Sequence, residues 1–190
     1  MTATTMDRSE GPWAITTRVI VYAAIGAALY AVANWTTFAI QIPGTENVSV
    51  RPQYGLVTFF GFAFGPIVGF LTGFVGNTVG DQLAYGSAFG SWWWSVANGL
   101  AGLLAGLFPL MMARSSGSGR AIAAGIAAVV ATVLGFLFIW IELIIQPEMG
   151  FNAILTTEYI PVIIGNSIAA AIVTPILVLA WEPLREQLGR

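Results

Sequence analysis

Apolar residues run through this chain in long stretches at about 17–40, 92–113, 121–145 and 159–181, and polar groups collect at the ends of those stretches rather than within them. A hydrocarbon core of roughly 30 Å takes about 20 helical residues to cross, so each stretch predicts one membrane-spanning helix. A fifth apolar region, 52–80, carries Gly65-Pro66 near its middle and predicts two short spans with a break at that pair. The pattern therefore reads as an all-α integral membrane bundle of six transmembrane helices, one domain over 1–190. The polar start, 1–13, has no basic region leading into a small-residue cleavage site and is expected to be a cytosolic tail, with the first span kept as an anchor.

Small residues recur within the spans at helical spacing. Ala23, Ala27 and Ala31 share one face of the first helix, with Ala24 and Ala28 beside them. Gly69, Gly73, Gly76 and Gly80 make a similar strip in the third, Gly99, Gly102 and Gly106 in the fourth, and Ala123, Ala127, Ala131 and Gly135 in the fifth. Such ridges let helices approach closely in lipid, where the hydrophobic effect no longer drives them together. For the later ridges the expected use is packing inside the bundle.

Composition supports the membrane reading, because 57% hydrophobic and only 8% charged residues leave too few charges to solvate a globule of 190 residues. All seven basic residues are arginines, and six of them (Arg8, Arg18, Arg114, Arg120, Arg185, Arg190) fall at one face of a six-span arrangement. Since loops near span ends carry excess Lys and Arg on the cytoplasmic side, both termini and the linker 114–120, with its Ser115-Ser116-Gly117-Ser118-Gly119 run, are expected in the cytoplasm. The segments 41–51, 81–91 and 146–158 are then outside. Arg51 alone breaks the rule, either snorkelling to headgroups or taking part in binding.

Missing residue types exclude whole classes of chemistry. Without Cys or His there is no thiolate, iron–sulfur or Ser–His chemistry and no His-containing zinc site, and without Lys no phosphate loop that could reach a terminal phosphate. No cofactor or metal is expected. Asp81, Glu142 and Glu158 could pair for acid–base work, but their separation along the chain makes that a weak signal.

The polar set at the outer face is more specific. Asn77 and Asp81 are four apart on the third helix, Trp94 and Asn98 four apart on the fourth, Tyr159 and Asn166 seven apart on the sixth. An amide below the surface is costly in hydrocarbon unless it points into protein or a water-filled cavity. Taken with Tyr85 and the Trp92-Trp93-Trp94 run, of which one or two indoles are expected to face inward, these residues predict a shallow outward-facing pocket. The 41–51 segment, with Pro43-Gly44 and alternating polar positions, is long enough to fold over it as a lid.

The run Arg51-Pro52-Gln53-Tyr54, Phe64-Gly65-Pro66-Ile67-Val68-Gly69-Phe70, Gly73-Phe74-Val75-Gly76-Asn77, Asp81-Gln82-Leu83-Ala84-Tyr85-Gly86, Trp92-Trp93-Trp94 and Asn98-Gly99-Leu100 resembles the S components of energy-coupling-factor (ECF) vitamin transporters, specifically the riboflavin-type subgroup. Size, six spans and the small-residue first helix fit the same family over nearly the whole chain. The sequence departs from the subgroup at Asn77 and Gly80, where His and a basic residue are common, so the resemblance does not fix the substrate. It implies a plasma-membrane subunit that captures a vitamin-like heterocycle, of riboflavin or thiamine/pyrimidine type, and joins a membrane coupling protein and two ATPases. By the resemblance, Arg51, Tyr54, Asn77, Asp81, Tyr85, Trp94, Asn98, Glu142, Glu158, Tyr159 and Asn166 would surround the ligand, and Ala23, Ala27 and Ala31 would dock on the coupling protein. Carboxylates outnumbering Arg51 favour a neutral or cationic ligand. Two alternatives stay open from the residues alone: an intramembrane carboxylate enzyme, and an assembly subunit that binds nothing.

Overall fold

The computed structural model describes residues 11–36, 40–41, 49–112 and 116–187. Residues 42–48 of the expected lid 41–51, most of the N-terminal tail, and Arg8, Arg114 and Arg190 lie outside the described residues.

Helix α1 (Thr17–Thr36) starts after Thr16, whose hydroxyl accepts the Val19 N–H at 3.3 Å and so satisfies one of the amides that a helix N-terminus leaves without a partner. A two-residue antiparallel ladder follows, β1 (Ile40–Gln41) against β2 (Ser49–Val50), pairing Ile40 with Val50. Helix α2 (Tyr54–Phe64) ends at Gly65, which stands at φ 107°, a conformation that L side chains rarely adopt. Pro66 then opens α3 (Pro66–Tyr85), its missing N–H costing nothing at a first helical position. The break thus falls at the pair that the sequence marks.

Helix α4 (Trp92–Met111) is followed by α5 (Gly117–Gly135), which tightens into a 3-10 stretch (Phe136–Ile141) and runs on as α6 (Glu142–Ile145). After a short turn come α7 (Gly150–Ala153), a π stretch (Ile154–Tyr159) and α8 (Ile160–Gln187). The fold is all-helical apart from the small ladder, with six helical rods among the described residues. Four of them, α1, α4, the 29-residue Gly117–Ile145 and the 38-residue Gly150–Gln187, are long and apolar enough to cross a membrane. The α5 rod corrects one expectation: Gly117, Ser118, Gly119 and Arg120 form its first turn, so the 114–120 segment is not wholly a flexible linker.

The exterior is apolar and the polar atoms are inside, the reverse of a water-soluble protein. Ile160, Ile164, Ile168, Ile172 and Ile176 make an exposed ridge down α8, while Asn77, Asn98, Asn166 and Glu142 are buried. This arrangement suits a surface solvated by lipid. α3 and α4 cross where glycines leave room: a Cβ on Gly102 would collide with the Gly69 carbonyl, and one on Gly69 with the Gly102 carbonyl.

α2 sits at the centre. Eight of its 11 residues are buried, and it touches α1, α3, α4, α5 and α8. Hydroxyls join it to its neighbours, Tyr54 to Thr132 of α5 at 3.0 Å and Thr58 to Thr174 of α8 at 2.6 Å. Phe62, near its far end, lies under the Arg120 guanidinium at 5.2 Å, and Glu182 bridges Arg120 at 3.6 Å and Arg185 at 3.0 Å. These two arginines therefore gather at the end of the bundle away from Tyr54.

The first-helix ridge faces the opposite way from the expected one. Ala23, Ala27 and Ala31 are 4%, 7% and 2% exposed, and Gly76 of α3 lies against the Ala27 carbonyl. Turned toward α3, they offer a partner no surface. On the outer side of α1 the exposed residues are Val21, Ala24, Ile25, Ala28, Leu29 and Val32.

Candidate functional site

At the Tyr54 end of α2 the rods part around a cavity of about 670 Å³. α3 contributes Asn77, Asp81 and Tyr85 to its wall, and α4 contributes Trp93, Trp94 and Asn98. The opposite wall comes from Phe136 and Glu142, from Thr157 and Glu158 of the π stretch, and from Val162 and Asn166 of α8. Tyr30 of α1 and Arg51 complete the lining, with Ser87, Gly90, Ser91, Gln146, Met149 and Ala153 around the mouth. Two departures from regular helix, the 3-10 and π stretches, thus flank the cavity, as such irregularities often do at functional sites.

Much of the polar lining belongs to one hydrogen-bonded chain. Tyr30 Oη donates to Asn98 Oδ1 at 3.1 Å, and Asn98 Nδ2 donates to the Trp94 carbonyl at 2.8 Å and, at 3.5 Å, toward Asn77 Oδ1. Asn77 Nδ2 donates to Asp81 Oδ2 at 2.8 Å and to Ser95 Oγ at 3.1 Å. The i, i+4 spacing of Asn77 and Asp81 is therefore a direct contact. Arg51 reaches Tyr85 Oη at 3.5 Å. Across the cavity, Glu142 Oε1 accepts the indole N–H of Trp93 and, at 3.0 Å, that of Trp94. Buried polar groups satisfied in this way hold their rings and amides in fixed positions.

Nine of the eleven expected site residues meet here: Arg51, Asn77, Asp81, Tyr85, Trp94, Asn98, Glu142, Glu158 and Asn166. Tyr54 does not line the cavity. Its ring is fully buried beneath Phe136, with centroids 5.9 Å apart, and its hydroxyl is taken by Thr132. Tyr159 also stays out, its ring tilted against Trp140 and its hydroxyl donating to the Val133 carbonyl at 3.3 Å. Two of the three consecutive tryptophans face inward, while Trp92 is 39% exposed.

Sequence reasoning missed Tyr30 and Thr157. Tyr30 lies in the alanine-rich run of α1; a phenol hydroxyl within an apolar helix is the signal that was available. A second hollow of about 640 Å³ lies between α5 and α8, lined by residues such as Ile122, Ile126, Val129, Pro175 and Leu179, with Ser118 as its one polar side chain. It lacks the convergent polar groups of a ligand site.

Flat aromatic walls with a few oriented amides and carboxylates are suited to holding a planar heterocycle by stacking while polar edges fix its direction. A family model described as "ECF-type riboflavin transporter, S component" matches residues 14–182. No curated protein and no solved structure matches the chain.

Proposed function

The chain belongs to the S components of ECF-type riboflavin transporters, and from that premise we propose that the cavity at the Tyr54 end of α2 is where the substrate is held. An S component is the substrate-binding subunit of an ECF transporter, so the protein is a membrane transport protein and not an enzyme. The observation that carries the cavity assignment is the convergence of Trp93, Trp94 and Tyr85 with the buried amides Asn77, Asn98 and Asn166 in one space. The substrate is a riboflavin-type heterocycle, with a thiamine-like pyrimidine as the second choice. Arg51, Asn77, Asp81, Tyr85, Trp94, Asn98, Glu142, Glu158 and Asn166 bind it, Tyr30 and Trp93 join them, and Tyr54 and Tyr159 support the walls from behind.

The bundle of six rods sits in the plasma membrane with both termini in the cytoplasm and the cavity open outward, the short α2 reaching only part of the way across. Arg120 and Arg185 at the end away from the cavity support this orientation. The whole chain is one domain. Its partners are a membrane coupling protein and two ATPase subunits, and docking falls to the outer side of α1, where Ala24 and Ala28 are exposed, in place of the buried Ala23, Ala27 and Ala31.

Thermal unfolding of the purified chain in detergent, against riboflavin, thiamine and other vitamins, tests the assignment. A ligand that binds only the folded state at 100 times its Kd adds about 2.7 kcal/mol of stability. A rise with riboflavin is expected; no rise with any vitamin would remove the reading.

A further inference from the structure

Glu142 is the most buried charged side chain of the cavity, 1% exposed, and its two oxygens are not equivalent. Oε1 takes both indole N–H groups, from Trp93 and Trp94. Oε2 has no hydrogen-bond partner among the described residues. An indole N–H can only donate, so the two tryptophans pin the carboxylate by one oxygen and leave the other as an acceptor beside the cavity. A buried acceptor without a donor is costly, and the cost disappears when a ligand supplies one.

The charge around it has a sign. Among the described residues Arg51 is the only basic side chain in the lining, against Asp81, Glu142 and Glu158. Its guanidinium touches the Tyr85 hydroxyl at 3.5 Å and lies within electrostatic reach of Asp81. Glu142 forms no ion pair among the described residues. In a partly enclosed cavity, an anionic group on a ligand would meet carboxylates at short range.

Resting on the cavity as the substrate site, we propose that Glu142 is its specificity-determining residue: Oε2 accepts a hydrogen bond from an N–H or O–H edge of a neutral or cationic heterocycle, and its charge excludes phosphorylated forms of the same molecule. The two indoles act as positioning residues that set which oxygen is available.

Riboflavin and its 5′-phosphate ester are the probe pair, titrated into the purified chain while flavin fluorescence is followed, for wild type, Glu142→Gln and Glu142→Asp. Gln keeps the size of the side chain and an oxygen for the indoles, but places an NH2 donor where the ligand donor must sit. Riboflavin should bind Glu142→Gln about tenfold or more weakly, and the preference for riboflavin over its ester should shrink. Glu142→Asp keeps the charge on a shorter arm, so it should weaken riboflavin binding yet still reject the ester, and unfolding temperatures without ligand report whether both variants are folded. Wild-type affinity for riboflavin in Glu142→Gln, or an undiminished preference over the ester, overturns the proposal while leaving the site assignment standing. Should Glu142→Gln not fold, Glu142→Asp decides: riboflavin affinity equal to wild type, or acceptance of the ester, overturns it. A wild-type chain that binds neither flavin overturns the substrate reading and this proposal together.

Discussion

Tyr30 of α1 and Asn98 of α4 are joined by a buried hydrogen bond of 3.1 Å, the phenol hydroxyl donating to the amide oxygen across 68 positions of chain. The bond ties the first helix into the network that runs through Asn77 to Asp81.

Replacing Tyr30 with Phe removes only that hydroxyl and leaves Asn98 Oδ1 without its donor. The loss should be about 1–3 kcal/mol of stability, read as a lower unfolding temperature in detergent, together with weaker riboflavin binding because the Asn98 amide is freed to turn. An unchanged unfolding temperature would mean that Asn98 finds another donor.

Asn77→Leu removes the hub of the network, since the amide serves Asp81 and Ser95 and lies 1% exposed. Ligand affinity should fall by at least about tenfold. Stability should fall as well, because Asp81 and Ser95 each lose a donor. A folded variant with wild-type affinity in a fluorescence titration would move the substrate elsewhere.

Two tryptophan substitutions on neighbouring positions of α1 should behave in opposite ways. At Ala27 the indole has to enter the packed contact with α3 near Gly76, which overfills the interior and should lower the yield of folded protein. At Ala28, which is exposed, it should leave folding and ligand binding intact and block co-purification with the coupling protein. Normal assembly of the Ala28→Trp variant would show that the coupling protein docks on another face.

Topology is open to a direct check with a tag fused after Arg190. Labelling should require permeabilised cells if the arginine-rich end faces the cytoplasm. Labelling of intact cells would invert the bundle and put the cavity inside.

The four long apolar helices, the Gly65-Pro66 break and nine of the cavity's lining residues were legible in the sequence because each rests on a one-dimensional pattern: apolar length, a helix-breaking pair, or polar groups near span ends. What was not legible needed a rotation about a helix axis. Ala23, Ala27 and Ala31 and the pair Ala24 and Ala28 form adjacent stripes separated by about 100°, and only packing against α3 decides which is covered. Tyr54 was misplaced for a related reason. Its position at the head of a span beside Arg51 looks like a cavity lining, but Thr132, 78 residues away, claims the hydroxyl, and no local pattern announces that partner. The 3-10 and π stretches were equally hidden, since Phe136–Ile141 and Ile154–Tyr159 read as ordinary apolar helix.

The shortness of α2 bears on the size of the cavity. At about 1.5 Å per residue, its 11 residues extend some 16 Å, roughly half of a hydrocarbon core, and its first residue, Tyr54, packs behind Phe136, which lines the cavity. The bundle therefore makes room for a guest by stopping its central rod early, and not by carving space from the side chains of full-length ones. Depth and chemistry are in this way set by different parts of the chain: one extra turn at the start of α2 would push into the cavity and shrink it, while the rings and amides that line it would stay where they are on α3, α4 and α8.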